Sequence, residues 1–289
     1  MGLEGQSLHV TPVKDVTGTN SMATRISNLA SVDPRAELGD NVEIGPFCHI
    51  GPDVKIGDDT TLESNVVIKG RVIMGSHNHV HPGAVIGGEP QDVSFGGSRT
   101  CVLIGNHNTI RECVTINRAS EKEDGITKLG DHCFLMACVH IAHDCKVGDH
   151  LIMANGSMLG GHVHVANSVT ISGAVAVHHY TSIGSYSFVG GLSRVLHDVP
   201  PYMLVEGSPT RPRCVNVVAL KRNQFPAESI RALSEAHRLL YRSRVGVENA
   251  MEIMKNNGTL LPEVQHLMTF ISSQMEGRHG RGRDRRKAA

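Results

Sequence analysis

The residues whose types and spacing carry the most chemistry are His140-Ile141-Ala142-His143-Asp144-Cys145. A neutral imidazole with an acid near its second nitrogen is a competent general base near neutral pH. The acid fixes the tautomer and stabilises the imidazolium. His143 has that form with Asp144, or with His140. A histidine and an acid in sequence could equally decorate a surface turn. What changes the reading is a set of later histidines, His162, His178 and His179, with Gly161 among them. No Gly-x-Ser-x-Gly elbow appears and no cysteine stands in an evident triad, so direct transfer is expected rather than a covalent intermediate.

For these residues to meet, the chain must fix where each one points, and its periodicity does so. From Ile26 an aliphatic residue recurs every six positions: Ile26, Val32, Leu38, Ile44, Ile50, Ile56, Leu62, Ile68, Met74, Val80 and Ile86. The phase is lost from 87 to 103 and returns unshifted at Ile104, Ile110 and Ile116. After a second break, 117–128, the ladder resumes one residue out of phase at Leu129 and runs ungapped to Val195. Neither a helix nor a half-buried strand has this period. It is the signature of a parallel β-helix built from hexapeptides. Three hexads make one triangular coil, and successive coils lie about 4.8 Å apart, the strand spacing. The aliphatic residue is expected to point inward at each corner turn, and the Gly or Asn beside it to tolerate the tight backbone.

Residues 18 apart then stack, as Ile141, Leu159 and Val177 do. His143, Gly161 and His179 share one position in three successive coils. Asp144 and His162 share the next. A column of His143, Asp144, His162, His178 and His179 is therefore expected along one edge, with Gly161 leaving room beside His143. The two breaks, containing Pro90-Gln91-Asp92 and Glu121-Lys122-Glu123-Asp124, are either tolerated insertions or loops that reach substrate or a neighbouring subunit.

Composition agrees with a solenoid. The chain has 289 residues, 3% aromatics, no Trp and 31 Gly. That is poor material for a core built on large rings. Lys plus Arg equals Asp plus Glu, at 28 each, so net charge gives no steering argument for nucleic acid. Seven Cys without paired spacing read as reduced thiols. No apolar run approaches the roughly 20 residues of a membrane helix. Residues 1–25 lack periodicity and are expected to be a disordered leader, with the β-helix over 26–201. Helical patterns follow within 202–276: Ala227–Tyr241, Val247–Lys255 and Pro262–Met275, the last two split by Asn256-Asn257-Gly258. A basic tail, 277–289, is expected to be disordered.

A metal enzyme is the rival class. Hexapeptide β-helices include the gamma-type carbonic anhydrases, which hold zinc with histidines, two of them five apart. No two histidines here have that separation, and no metal site is expected.

The sequence resembles the UDP-N-acetylglucosamine acyltransferases, the first enzymes of lipid A synthesis, from about residue 26 to 275. The shared strings include Ile44-Gly45-Pro46-Phe47-Cys48, Ile110-Arg111-Glu112, His140 to Cys145, Gly161-His162, Ala176-Val177-His178, Asp198-Val199-Pro200-Pro201-Tyr202, Gly207, Asn216 and Leu220-Lys221-Arg222. The resemblance implies a left-handed parallel β-helix with a small C-terminal helical domain, assembled as a homotrimer with sites between subunits. It implies transfer of a 3-hydroxyacyl group from acyl carrier protein to the glucosamine 3-hydroxyl. His143 would be the base, with Asp144 beside it. Asp92, His140, His162, His178, His179, Asn216 and Arg222 would bind substrate. Gly161 could supply an oxyanion N–H, and Gly191 would set the acyl length. No cofactor is implied, since phosphopantetheine arrives on the carrier. Arginines and a lysine that cluster in sequence at the helical end, Arg211, Arg213, Lys221, Arg222, Arg238, Arg242 and Arg244, suit an acidic carrier.

Four positions depart from the bacterial pattern: Ser94 stands for Lys, Val218 for Glu, Asn223 for Arg and His179 for Gln. The missing Lys and Arg remove two cations that the resemblance would place near the diphosphate. These changes and the Ser/Thr-rich leader suggest a divergent homologue. The compartment is cytoplasmic for a bacterial protein and mitochondrial for a plant one with a trimmed transit peptide. The N-acyltransferase later in the pathway ranks second, because it carries a further N-terminal domain, and a non-catalytic scaffold third.

Overall fold

The structure, a computed structural model, describes residues 23–277 and 280–281. Most of the leader and of the basic tail thus lies outside the described residues. Three sheets of 11, 9 and 8 strands, parallel except for the last strand of the 11-stranded one, form the sides of a prism. Successive strands go to successive sheets, so each coil adds one strand to all three. Most strands are two residues long, an outward residue followed by the buried ladder residue. Ile50, Leu62, Ile68, Ile110, Leu135, Ile141 and Leu159 are fully buried, and the core is a stack of aliphatics with almost no rings.

The two breaks in the ladder have a simple arithmetic. Met74 pairs with Ile104, 30 residues on, and Ile104 with Leu129, 25 residues on. A coil needs 18, as from Ile141 to Leu159. The first insertion is therefore 12 residues, two whole hexads, and the phase returns unshifted. The second is seven, one more than a hexad, and the phase slips by one. Strands run into both breaks: Val85–Gly88 and Cys101–Ile104 flank the first, Thr115–Asn117 and Ile126–Leu129 the second. Residues 89–100 and 118–125 leave the coil as loops.

The glycines after the ladder residues do a different job from the one expected. The ladder aliphatics lie in the strands rather than at the corners, and the left-handed corner backbone sits three positions after them, at Phe47, Asp59, His77, Cys113 and Asp144 among others. Asn, Asp and His tolerate that region better than most residues. Gly57 and Gly105 are not in it. A Cβ on Gly57 would lie 2.6 Å from the Gly75 backbone, and one on Gly105 2.0 Å from an Asp131 oxygen. Close stacking of coils requires these glycines. The left-handed corner also explains much of the histidine count: His77, His107, His132 and His150 occupy it in successive coils, with ring centroids 4.6, 4.8 and 5.1 Å apart.

The solenoid closes with an antiparallel hairpin, Met203–Gly207 and Thr210–Val215, which extends the 11-stranded sheet. The C-terminal unit thus begins as β-structure before its helices. These are α1 (Val217–Arg222), α2 (Ala227–His237), α3 (Val247–Asn256) and α4 (Pro262–Met275). A π-helical turn, Arg238–Arg242, continues α2, so the apolar stripe read from 227 to 241 spans two kinds of helix. Leu233, Ala236, Met254, Leu267 and Met268 are buried together. The Tyr202 hydroxyl and His266 Nδ1, 2.7 Å apart, tie α4 to the end of the solenoid.

Candidate active site

His140–Ile141, Met158–Leu159 and Ala176–Val177 are neighbouring strands of the nine-stranded sheet, paired in register. Just beyond their ends lie His143, Gly161 and His179. Asp144 takes the left-handed corner position, φ 61°, and its carboxylate is fully buried. His143 Nδ1 lies 2.8 Å from Asp144 Oδ2. An Nδ1–H donating to the carboxylate leaves the Nε2 lone pair free, and no described residue hydrogen-bonds that atom. Of the two partners open to His143 in the sequence, Asp144 is therefore the one that orients it. His140 turns elsewhere: its Nδ1 is 2.7 Å from the Thr115 hydroxyl. Burial, then the neighbouring His143, pushes the His140 pKa down, which keeps that ring neutral near pH 7.

The Asp144 carboxylate is itself held by the second loop. Ser120 donates its hydroxyl to Oδ2 at 2.6 Å and its backbone N–H at 3.1 Å. The Asp144 N–H donates to Thr127 Oγ1 at 2.9 Å. Burial alone would raise the Asp144 pKa. The hydrogen bonds from His143 and Ser120 outweigh it and hold the carboxyl below its ordinary range. The acid therefore stays ionised opposite the imidazole.

His162 completes the buried cluster. Its Nε2 is 3.7 Å from Asp144 Oδ2, and its Nδ1 is 3.2 Å from Glu123 Oε1 of the second loop. The ring stacks on Tyr180 with centroids 4.3 Å apart and meets His143 edge-on at 5.2 Å. Gly161 makes room for His143: a Cβ there would sit 2.5 Å from Cε1 and 2.7 Å from Nε2. The Gly161 N–H donates to no described acceptor. One coil further, the His178 and His179 rings lie with centroids 3.8 Å apart and planes tilted by 48°. His178 Nδ1 lies 2.8 Å from Arg281 Nη1.

The first loop approaches the same edge through the second. Asp92 accepts from Lys122 Nζ at 2.6 Å and from the Ser94 hydroxyl and N–H at 2.8 and 3.0 Å. Lys122, then Ser94, drives the Asp92 carboxyl far below its usual range. Where the bacterial pattern places a lysine, Ser94 caps Asp92, and the second loop brings Lys122 to it. Glu121 also accepts the Gly96 N–H at 2.7 Å, joining the two loops. Ser120, Lys122, Glu123, Thr127 and Tyr180 were not singled out as site residues in the sequence. The one signal was the charged run 121–124 in the second break.

Three sequence-assigned residues lie elsewhere. Asn216 caps α1, accepting from the Ala219 N–H at 3.3 Å and donating to Tyr186 O at 2.9 Å. Asn216 and Arg222 line a groove of about 650 Å³ with His150, Ile152, Thr170 and Phe188, against the 11-stranded sheet. That is a different face of the prism from His143. Gly191 is exposed at a turn after the same sheet. Cys145, though inside the histidine string, is not a nucleophile. It is buried and donates to Gly160 O at 3.2 Å, and burial pushes its thiol up to about 12. All seven cysteines are free.

Prism, loops and an oriented His–Asp pair together define a transferase of the hexapeptide-repeat class. Residues 35–70, 53–88 and 126–161 match the bacterial transferase hexapeptide repeats, and residues 198–282 match domain 2 of the UDP-N-acetylglucosamine O-acyltransferases. The chain is 39% identical over 258 residues to the acyl-[acyl-carrier-protein]–UDP-N-acetylglucosamine O-acyltransferase of Burkholderia orbicola, covering 88% of this chain and 98% of that one. It is 43% identical to the Synechocystis protein of the same name, over 74% and 78% of the two chains. The crystal structure of the Bacteroides fragilis UDP-N-acetylglucosamine acyltransferase superposes with a TM-score of 0.83 at 35% identity, over 86% of this chain and 96% of that one. The Arabidopsis enzyme gives 0.77 at 32%, over 88% and 99%. The chain belongs to the UDP-N-acetylglucosamine O-acyltransferase family, and its solenoid is the left-handed parallel β-helix of that family.

Proposed function

We propose that this chain transfers a 3-hydroxyacyl group from acyl carrier protein to the glucosamine 3-hydroxyl of UDP-N-acetylglucosamine, the first step of lipid A biosynthesis. The observation that carries this is His143, fixed through Nδ1 by a buried, ionised Asp144 and open at Nε2 beside the Gly161 gap. Nε2 takes the proton of the sugar hydroxyl as its oxygen attacks the thioester carbonyl. The oxyanion forms within reach of the Gly161 N–H, which donates to no acceptor among the described residues. Collapse breaks the C–S bond, and the proton on Nε2 passes to the departing phosphopantetheine thiolate. The products are an ester and a free thiol.

Asn216 and Arg222 serve the nucleotide sugar from a different face, so the site is complete only where two chains meet. This supports a homotrimer with shared sites. At the helical end, Arg238 and Arg242 rim a groove floored by Leu204, Val215 and Val218, which suits an acidic carrier protein. Among the described residues no helix is long and apolar enough to cross a membrane. Similarity to the Arabidopsis enzyme is what supports an organellar placement.

The relatives favour the O-acyltransferase over the later N-acyltransferase, and the acceptor decides between them. Offered UDP-N-acetylglucosamine and a UDP-3-O-acylglucosamine amine together, the protein should form ester only. Amide as the main product would overturn the assignment.

Gly191 closes the acyl groove on this reading. A Cβ there meets Gly173 O at 3.4 Å and Ser172 Cβ at 3.7 Å, ordinary contacts, so a side chain fits without disturbing the coil. Gly191→Met should move donor preference towards a chain shorter by about four carbons, each lost methylene contributing about 0.8 kcal/mol. Competition between 3-hydroxydecanoyl and 3-hydroxymyristoyl carrier proteins measures it. An unchanged preference would place the groove's end at another residue.

A further inference from the structure

The His143 centre uses one edge of the prism, and a second convergent set of donors lies beside the 11-stranded sheet. Leu62, Val80 and Ile110 pair in register on that sheet. Their outward neighbours are Glu63, His79, His81 and, one residue further along, Glu112. Glu63 Oε1 lies 2.6 Å from His79 Nε2 and 3.1 Å from His81 Nδ1. The two rings stack with centroids 4.2 Å apart and planes tilted by 17°. The ligand atoms of Glu63, His79 and His81 all lie within 4.8 Å of one another. Glu112 Oε1 stands 3.8 Å from His81 Nδ1, locked in a two-pronged pair with Arg111 at 2.8 and 3.0 Å.

We propose that Glu63, His79 and His81 form a binding site for a divalent metal ion of the zinc class, distinct from the His143 centre. Two imidazoles and a carboxylate are a donor set that zinc takes, with a fourth position left for water or a further ligand. Both rings aim a nitrogen at the same carboxylate oxygen. Among the described residues no lysine or arginine forms an ion pair with that carboxylate. Zinc bonds of about 2.0–2.2 Å need donor atoms roughly 3.3 Å apart, so seating the ion asks the Glu63 oxygen to back away from His79 by under about 1 Å. A terminal rotation of the Glu63 carboxylate supplies that. The donors come from adjacent coils rather than loops, so the ladder holds them in place before the ion arrives. His79 is 47% exposed and His81 17%, which leaves an entry path on one side. Bound there, the ion would clip successive coils together, and Glu112 would orient His81 or a metal-bound water.

The test uses full-length protein without a histidine tag, stripped with chelator and titrated with zinc alone by calorimetry. It is run in the His143→Ala background, so that the catalytic histidine cannot supply the heat. One ion should bind with a Kd at or below about 1 μM. Zinc should raise the Tm of this protein by mass action. His81→Asn and Glu63→Gln should each weaken binding by more than the about 10–100-fold that loss of an outer-shell partner costs. In a wild-type His143 background the same two variants should keep acyl-transfer turnover in chelator. Failure of the parent protein to bind zinc, or equal binding by His81→Asn and Glu63→Gln, would overturn the site. Neither result would bear on the acyltransferase reading.

Discussion

His143→Ala is expected to lower turnover by about 10²–10⁴-fold, the range for loss of a general base, while Tm stays near that of the parent. The side chain is 12% exposed and packs edge-on against His162 rather than in the aliphatic stack, so its removal opens little core volume. Asp144 would keep the bonds it accepts from Ser120 and the one its N–H donates to Thr127, and the corner would hold its shape. On the proposed mechanism the effect should fall on kcat, since Nε2 would take a proton in the transition state. A folded variant with near-normal kcat would show that the proton leaves by another route.

Gly161→Ala should be nearly as damaging, for a different reason. The added methyl would sit 2.5–3.1 Å from three atoms of the His143 ring, and the ring must swing away. A misplacement of about 1 Å at a reacting group can cost about 10²-fold. Because the base is displaced rather than removed, the KM for the nucleotide sugar should change little while kcat falls. If Gly161 merely served the turn, the variant would lose stability and keep its kcat. The two outcomes separate in a thermal melt run beside initial-rate kinetics.

The parts of the fold governed by short-range repetition were legible in the sequence. The six-residue ladder, the 18-residue coil and the column of His143, Gly161 and His179 all follow from counting. So do the three longer helices of the C-terminal unit, because their apolar stripes and the Asn-Asn-Gly breaker are local signals, whereas α1, six residues long, is too short to carry such a stripe and was not legible. What was not legible depends on contacts without a period. The second loop delivers Ser120 and Glu123 to the buried His–Asp cluster, and nothing in its charged run says which residue reaches which partner. Lys122 reaching Asp92 from the other loop is of the same kind. Asn216 and Arg222 sit on another face of the prism, beyond the end of the six-residue ladder, so its register gives no position for them. The glycines were misread for a related reason. Their need comes from the next coil's backbone, as at Gly57, and not from their own φ.

The most direct measurement is product analysis after mixing purified protein, UDP-N-acetylglucosamine and 3-hydroxyacyl carrier protein, with His143→Ala run in parallel. The expected result is a nucleotide sugar carrying one acyl ester at the glucosamine 3-hydroxyl, free carrier thiol in equal amount, and almost none of either from the variant. Thioester consumed without acylated nucleotide, or equal product from the variant, would contradict the account.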